Sequence, residues 1–316
     1  MSHRILPQPA HELAQINAAL PAMAHYSARD IETIAKVHMR AAAAIPAWPS
    51  YTGISQLVGT SHSGKVTVYV DPSLGASALA NAHDLIANAD TIVGANDMIF
   101  GSTGGNVNVI IFALGGVTNG QGGADHMACD YVTGQNIEVD ADFGEPARVH
   151  ALFEAELSEC SMKGRLCGLS TGEALSRWCA IKVAGNVIKD FQSAAWWLIL
   201  SGSNFVDVTE PTDRDRYSTG CGMVFLSWLM SQHGGLGVAD LPAIAQHMVA
   251  LGDAGTLADL YAALTGKPKA EAWPHFQGAI AGAGGAYKLA QRGLADDPFN
   301  SLGAPVTWVV SHAAVG

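Results

Sequence analysis

An α+β protein, β-containing in its first part and mostly helical in its second, is predicted by three features of the 316-residue sequence. Lys65 to Asp71 (KVTVYVD) alternates apolar and polar side chains, the period of a half-buried strand. Asn106 to Leu114 (NVNVIIFAL) is a continuous apolar run, as in a strand covered on both faces. After Pro146 the apolar residues shift to helical spacing and stay there.

Taken in order, residues 9–23 and 27–45 read as two helices, the second capped by Ser27 and stopped by Pro46 and Pro49. The strand at 65–71 follows. Ser73 to Phe100 reads as a helix, with Leu79, Ala82, Leu85, Ile86, Ala89 and Ile92 along its buried side. The 106–114 strand leads into a glycine-rich loop, Gly115 to Gly123 (GGVTNGQGG), and Asn136 to Ala141 (NIEVDA) forms a further strand. Helices are then expected at 147–160, 170–183, 190–201, 219–233, 240–251, 255–265 and 272–290. Ala194 to Leu200 (AAWWLIL) reads as a buried helix segment, and Trp196, Trp197 and Trp228 as core. The resulting organisation is N-terminal helices over 1–50, a mixed α/β lobe over 51–146 and a helical lobe over 147–316.

Seventeen Lys and Arg against 28 Asp and Glu give a net charge of −11, with 49% apolar residues. The apolar fraction excludes a disordered chain. The acidic balance speaks against nucleic acid and anionic membranes as partners, because no basic stripe exists to displace phosphate counterions. No apolar run reaches the roughly 18–20 residues of a membrane span. The start, MSHRILPQPAHEL, carries no apolar leader, so the chain is expected to be cytoplasmic, or exported with its leader absent. Five cysteines (129, 160, 167, 179, 221) without a CxxC pair read as reduced, buried thiols, or with Cys160 and Cys167 bridged in an exported protein. Oligomeric state is left open.

The chemistry concentrates in Val149 to Trp178 (VHALFEAELSECSMKGRLCGLSTGEALSRW). One helix carries His150, Glu154, Glu156 and Glu159 between apolar Leu152, Phe153 and Leu157. Glu156 and Glu159 share one face and His150 and Glu154 another. Glu173 opens the next helix and returns a carboxylate toward the first. Carboxylates held together away from water raise one another's pKa, the usual origin of acid/base pairs.

The order of mixed sheet, glycine-rich loop, strand, acidic helix, short loop and a second helix opening on Gly172-Glu173-Ala174 resembles the zincin metallopeptidase superfamily, in its glutamate-ligand branch. Phe153-Glu154-Ala155-Glu156-Leu157-Ser158-Glu159 resembles a degenerate x-x-H-E-L-T-H. Phe205 to Gly234 resembles the helix that follows the active site in basic secretory peptidases. The resemblance covers roughly residues 60–265 as pattern rather than identity, and it implies a cleft between a mixed sheet and the helical lobe. It places Glu156 at the general base, Ala155 and Glu159 at the two histidine positions, and Glu173 at the third ligand. With both zinc histidines missing, an oxygen-rich cluster suits Mg²⁺ or Ca²⁺, or no metal. In a second register His150, Glu154 and Glu173 hold the metal, zinc included.

Other residues extend the site. Gly122 to Asp130 (GGADHMACD) crowds Asp125, His126, Cys129 and Asp130 in one loop before the cleft strand; His126, Asp130 and Glu154 are candidate substrate contacts. Tyr217 is a candidate oxyanion donor. The expected function is a hydrolase of peptides or glycans using Glu156, Glu159, Glu173 and Tyr217, acting on a small-molecule or polymer substrate. The alternatives are a peptidase-like binding protein without catalysis, and a serine hydrolase using Ser170 of Gly168-Leu-Ser170-Thr-Gly172, which lacks the preceding strand a nucleophile elbow needs.

Overall fold

The computed structural model describes residues 46–301, apart from 120, 121, 133, 163–165, 186, 189–192, 213, 233, 234 and 292–296. The two helices expected at 9–23 and 27–45 lie outside the described residues. The chain divides after Pro46, and residues 47–316 form one compact unit to which everything below refers.

The unit is α+β, with its mixed five-stranded sheet in the first part and helices after it. Strands β1 (Gln56–Thr60) and β2 (Val66–Val70) form an antiparallel hairpin. Asp71 caps a short 3₁₀ turn, and helix α1 (Gly75–Phe100) follows until Gly101 turns the chain at φ 62°. It carries the crossover to β3 (Val107–Phe112), parallel to β2, as adjacent parallel strands require. A short edge strand β4 (Ala124–His126) runs antiparallel to β5 (Gln135–Asp140), which lies parallel to β3. The order is β1-β2-β3-β5-β4.

Alternation assigns the two sheet faces. Val66, Val68 and Val70, with Val107, Val109, Ile111, Ile137 and Val139, bury against α1 and α2 (Pro146–Ser161). Residues of opposite parity meet the segment at 47–51 on the other face. Trp48 packs edge-on to Tyr69 at 5.3 Å, Tyr51 lies 5.0 Å from Phe112, and the buried Glu138 carboxylate accepts from the Ser50 and Tyr51 backbone N–H groups.

The remaining helices are α3 (Ser170–Ala184), the single turn α4 (Ala194–Trp196) running into a π turn at Trp197–Ser201, α5 (Arg216–Met230), α6 (Leu241–Leu251), α7 (Leu257–Thr265), α8 (Ala272–Gly282) and α9 (Ala286–Ala290). The span read as one helix at 272–290 breaks at Gly284 and Gly285, whose φ of 97° and 94° leave the helical region. Their second core is aromatic: Trp197 stacks on Phe276 (5.6 Å), and Trp228 on Tyr261 (5.9 Å). Gly220 lets α5 approach this closely, since a Cβ there falls 2.2 Å from the Ser193 carbonyl oxygen.

Two expectations are corrected. Trp196 is 45% exposed, not core, and with Ile199 and Leu200 it forms the outer face of the 194–201 segment, while Ala194, Trp197 and Leu198 bury. Spacing of three and four residues puts these sets on opposite sides of one helical turn. The cysteine pairing also differs: Cys129 bonds Cys167, whereas Cys160, Cys179 and Cys221 are buried and free. Cys160 lies inside α2 and faces the core, so its thiol is turned away from the loop that carries Cys167.

Candidate functional site

Helix α2 is the centre of the site, because three sides of it are covered. Leu152, Ala155, Glu156 and Glu159, spaced i, i+3, i+4 and i+7, form the stripe that borders a cavity of about 490 Å³. Edge strand β4 borders it with Ala124, Asp125 and His126, and α3 contributes Glu173, Ser176 and Arg177. Trp196, Arg214 and Arg216 complete its rim. Gly172 makes the arrangement possible at the start of α3: a Cβ there would sit 2.0 Å from the Leu166 carbonyl oxygen, so only glycine brings the following Glu173 this close to α2.

The carboxylates form two linked pairs. His126 Nδ1 lies 2.7 Å from Glu156 Oε2, both side chains only slightly exposed. Burial pushes the Glu156 carboxyl up; the hydrogen bond and charge of His126 oppose this, and Glu173 and Asp125 add to it. Glu159, 5% exposed, is pushed well above the usual carboxylate range by burial and then by the charges of Glu156 and Glu173. Both charges act from across the cavity wall, and Glu173 Oε1 itself accepts from Arg177 Nε at 2.6 Å. Arg177 also donates to Ser193 Oγ at 2.8 Å. Glu159 therefore lies beside a carboxylate that is salt-bridged to Arg177, while Glu156 is paired with an imidazole.

Glu156, Glu159, Glu173 and His126 are thus brought together, as the sequence reading placed them. Several other candidates are not. Glu154 is fully buried on the opposite side of α2, two residues from Glu156 and therefore unable to share its face. Its carboxyl is raised well above the ordinary range by burial and by Asp97, and neither oxygen has a hydrogen-bond partner. His150 lies on that same side, with Nε2 2.7 Å from Asp84 of α1, and burial lowers its pKa despite that partner. The ligand atoms of His150, Glu154 and Glu173 do not gather within 4.8 Å, so the second metal register is not assembled. Asp130 turns back to accept from the Val132 N–H at 2.9 Å and does not border the cavity. Tyr217 packs against the helical core, its N–H donated to the capping Asp215, and is likewise off the cavity wall. Ser170 is buried at the start of α3, where its Oγ accepts from the Glu210 N–H at 3.0 Å.

The stretch expected as a loop contains β4, so Asp125 and His126 belong to a sheet edge. Three residues were too few for an alternation signal. Arg177, Arg214, Arg216 and Trp196 were missed as cavity residues. The i, i+4 spacing of Glu173 and Arg177 was a legible pairing signal. The rim arginines had none, since Arg214 lies on irregular backbone and Arg216 opens α5; the Arg216 guanidinium sits 4.9 Å over the Trp196 ring.

Among the described residues, two groups of three side chains bring ligand atoms within 4.8 Å of one another: His126, Glu156 and Glu159, and His126, Cys129 and Cys167. The first offers one nitrogen and two carboxylates, donors that Zn²⁺ accepts. No described helix is long and apolar enough to cross a membrane. Comparison of the chain with protein-family models, curated proteins and solved structures finds no match.

Proposed function

We propose that this protein is a hydrolase of zincin-like arrangement whose acidic site works through carboxylates in place of the zinc histidines. The observation that carries this reading is the convergence of Glu156, Glu159 and Glu173 with His126 on one cavity, where burial raises the Glu156 and Glu159 carboxyls and the imidazole hydrogen-bonded to Glu156 opposes the rise there. The zincin-like part of the reading rests on the sequence pattern alone: a glycine-rich loop, the strand at 136–141, the acidic helix and a second helix opening on Gly172-Glu173-Ala174.

In this mechanism Glu156 takes a proton from water and His126 orients the carboxylate and steadies the charge that develops. The water oxygen bonds to the acyl or glycosyl carbon. Glu159 gives its proton to the departing nitrogen or oxygen as that bond breaks, Glu173 stays paired with Arg177 throughout, and the proton on Glu156 returns to Glu159 through solvent to close the cycle. Water is thereby divided between the two products. The nearest oxygens of Glu156 and Glu159 lie within 4.8 Å, so both reach one scissile bond. The basic rim of Arg214 and Arg216 beside exposed Trp196 suits a substrate with an anionic group flanking a flat or apolar one.

Peptide and glycan libraries with the purified chain test the reading. Turnover is expected in the wild type and its loss in Glu156→Gln, by two orders of magnitude or more in kcat, as removal of a general base produces. Melting should be nearly unchanged. A wild type without turnover on either library, or a Glu156→Gln variant as active as wild type, overturns it.

A further inference from the structure

We propose that Cys129, Cys167 and the Nε2 atom of His126 form a redox-gated zinc site: the disulfide is the metal-free state, and its reduction opens a Cys₂His site for one Zn²⁺. This does not rest on the hydrolase reading, because it concerns the sulfur side of His126 and needs no substrate.

The donors already face one another. His126 Nε2 lies 3.1 Å from Cys167 Sγ and 3.6 Å from Cys129 Sγ. A tetrahedral zinc with bonds of about 2.0–2.1 Å to nitrogen and 2.3 Å to sulfur sets its nitrogen and sulfur ligands about 3.6 Å apart. The ring is aimed from its other side, where Nδ1 is held by Glu156 Oε2 at 2.7 Å. A carboxylate on the far nitrogen is the arrangement that orients metal-bound histidines and makes them better donors. Ligands come from two separate pieces of chain, the β4 edge with the turn after it and the segment before α3, so a metal joins what the disulfide joins now. Access is open: all three side chains are partly exposed, and neighbouring Met127 is 50% exposed.

The gating step balances as a thiol–disulfide exchange. A cellular dithiol transfers two electrons and two protons to the Cys129–Cys167 bond and becomes a disulfide itself. Zinc then binds as the two new thiols release their protons to water, since thiolate is the ligand form. His126 keeps its proton on Nδ1 and donates it to Glu156, so loading of the site fixes the tautomer of the residue that faces the cavity.

The full chain is prepared oxidised, and again after phosphine reduction and anaerobic desalting, and each form is titrated with Co²⁺ as a spectroscopic stand-in for zinc. The reduced form is expected to bind one Co²⁺ per chain with a thiolate-to-cobalt charge-transfer band that Zn²⁺ abolishes; the oxidised form should give no such band. Glu156→Gln should weaken binding about 10–100-fold, the usual effect of losing a ligand's orienting partner. Cys129→Ser should remove the band. As a measurement that needs no variant, Zn²⁺ should shield Cys129 and Cys167 of the reduced wild type from alkylation, with buried Cys160, Cys179 and Cys221 as internal references. A reduced chain without the band or the shielding overturns the proposal. So does equal binding by both redox forms that is lost in Glu159→Gln, which would place the ion on the carboxylates instead.

Discussion

Replacing Glu154 by Gln should stabilise the protein, by an amount that grows with pH. The side chain is fully buried between α2 and α1, with neither carboxylate oxygen hydrogen-bonded and Asp97 adding negative charge nearby. Burial raises its pKa well above the ordinary 4.5, so the folded protein keeps a proton that the unfolded chain releases. The sign follows from linkage. Below the unfolded pKa both states are protonated and nothing is lost; above it the folded state binds the extra proton, and stability falls as pH rises. The slope is about 1.4 kcal/mol per pH unit for as long as the carboxyl stays neutral. Gln, of the same shape but without a titration, escapes this cost. For a unit of this size each pH unit of that slope is about 2–3 °C in melting temperature. Melting curves of wild type and variant at half-unit pH steps provide the assay. The advantage of Glu154→Gln should be small at pH 5 and widen steadily to pH 7. A difference that stays flat across this range would show that Glu154 is not held neutral by burial, and the reasoning fails.

Other substitutions probe the supports of the site. Gly220→Ala puts a methyl 2.2 Å from the Ser193 carbonyl oxygen and should cost about 1–3 kcal/mol in urea denaturation, as overpacking against backbone does. Asp215→Ala removes the side chain that accepts from the Tyr217 and Ser218 N–H groups at the start of α5, and should lower stability by about 1 kcal/mol. A variant melting like wild type would mean that water replaces the cap. Glu156→Gln separates catalysis from folding, and the cobalt titration separates the sulfur side of His126 from its carboxylate side.

Much of this architecture was legible because side-chain period reports which faces are buried. Alternation in KVTVYVD and the apolar run in NVNVIIFAL located β2 and β3, and the Glu156–Glu159 spacing placed both acids on one helix face. The same rule, applied to His150 and Glu154, already put that pair on another face of the helix; only packing against α1 revealed that this side is closed. Strands β1 and β4 escaped notice because an edge strand is half exposed and short, and its pairing is a long-range event. The Cys129–Cys167 bond, the meeting of His126 with Glu156, and the turn of Trp196 outward toward Arg216 join residues far apart or on irregular backbone. Local periodicity fixes what an element buries, but which elements meet depends on how the whole core closes, and there the tertiary structure alone decides.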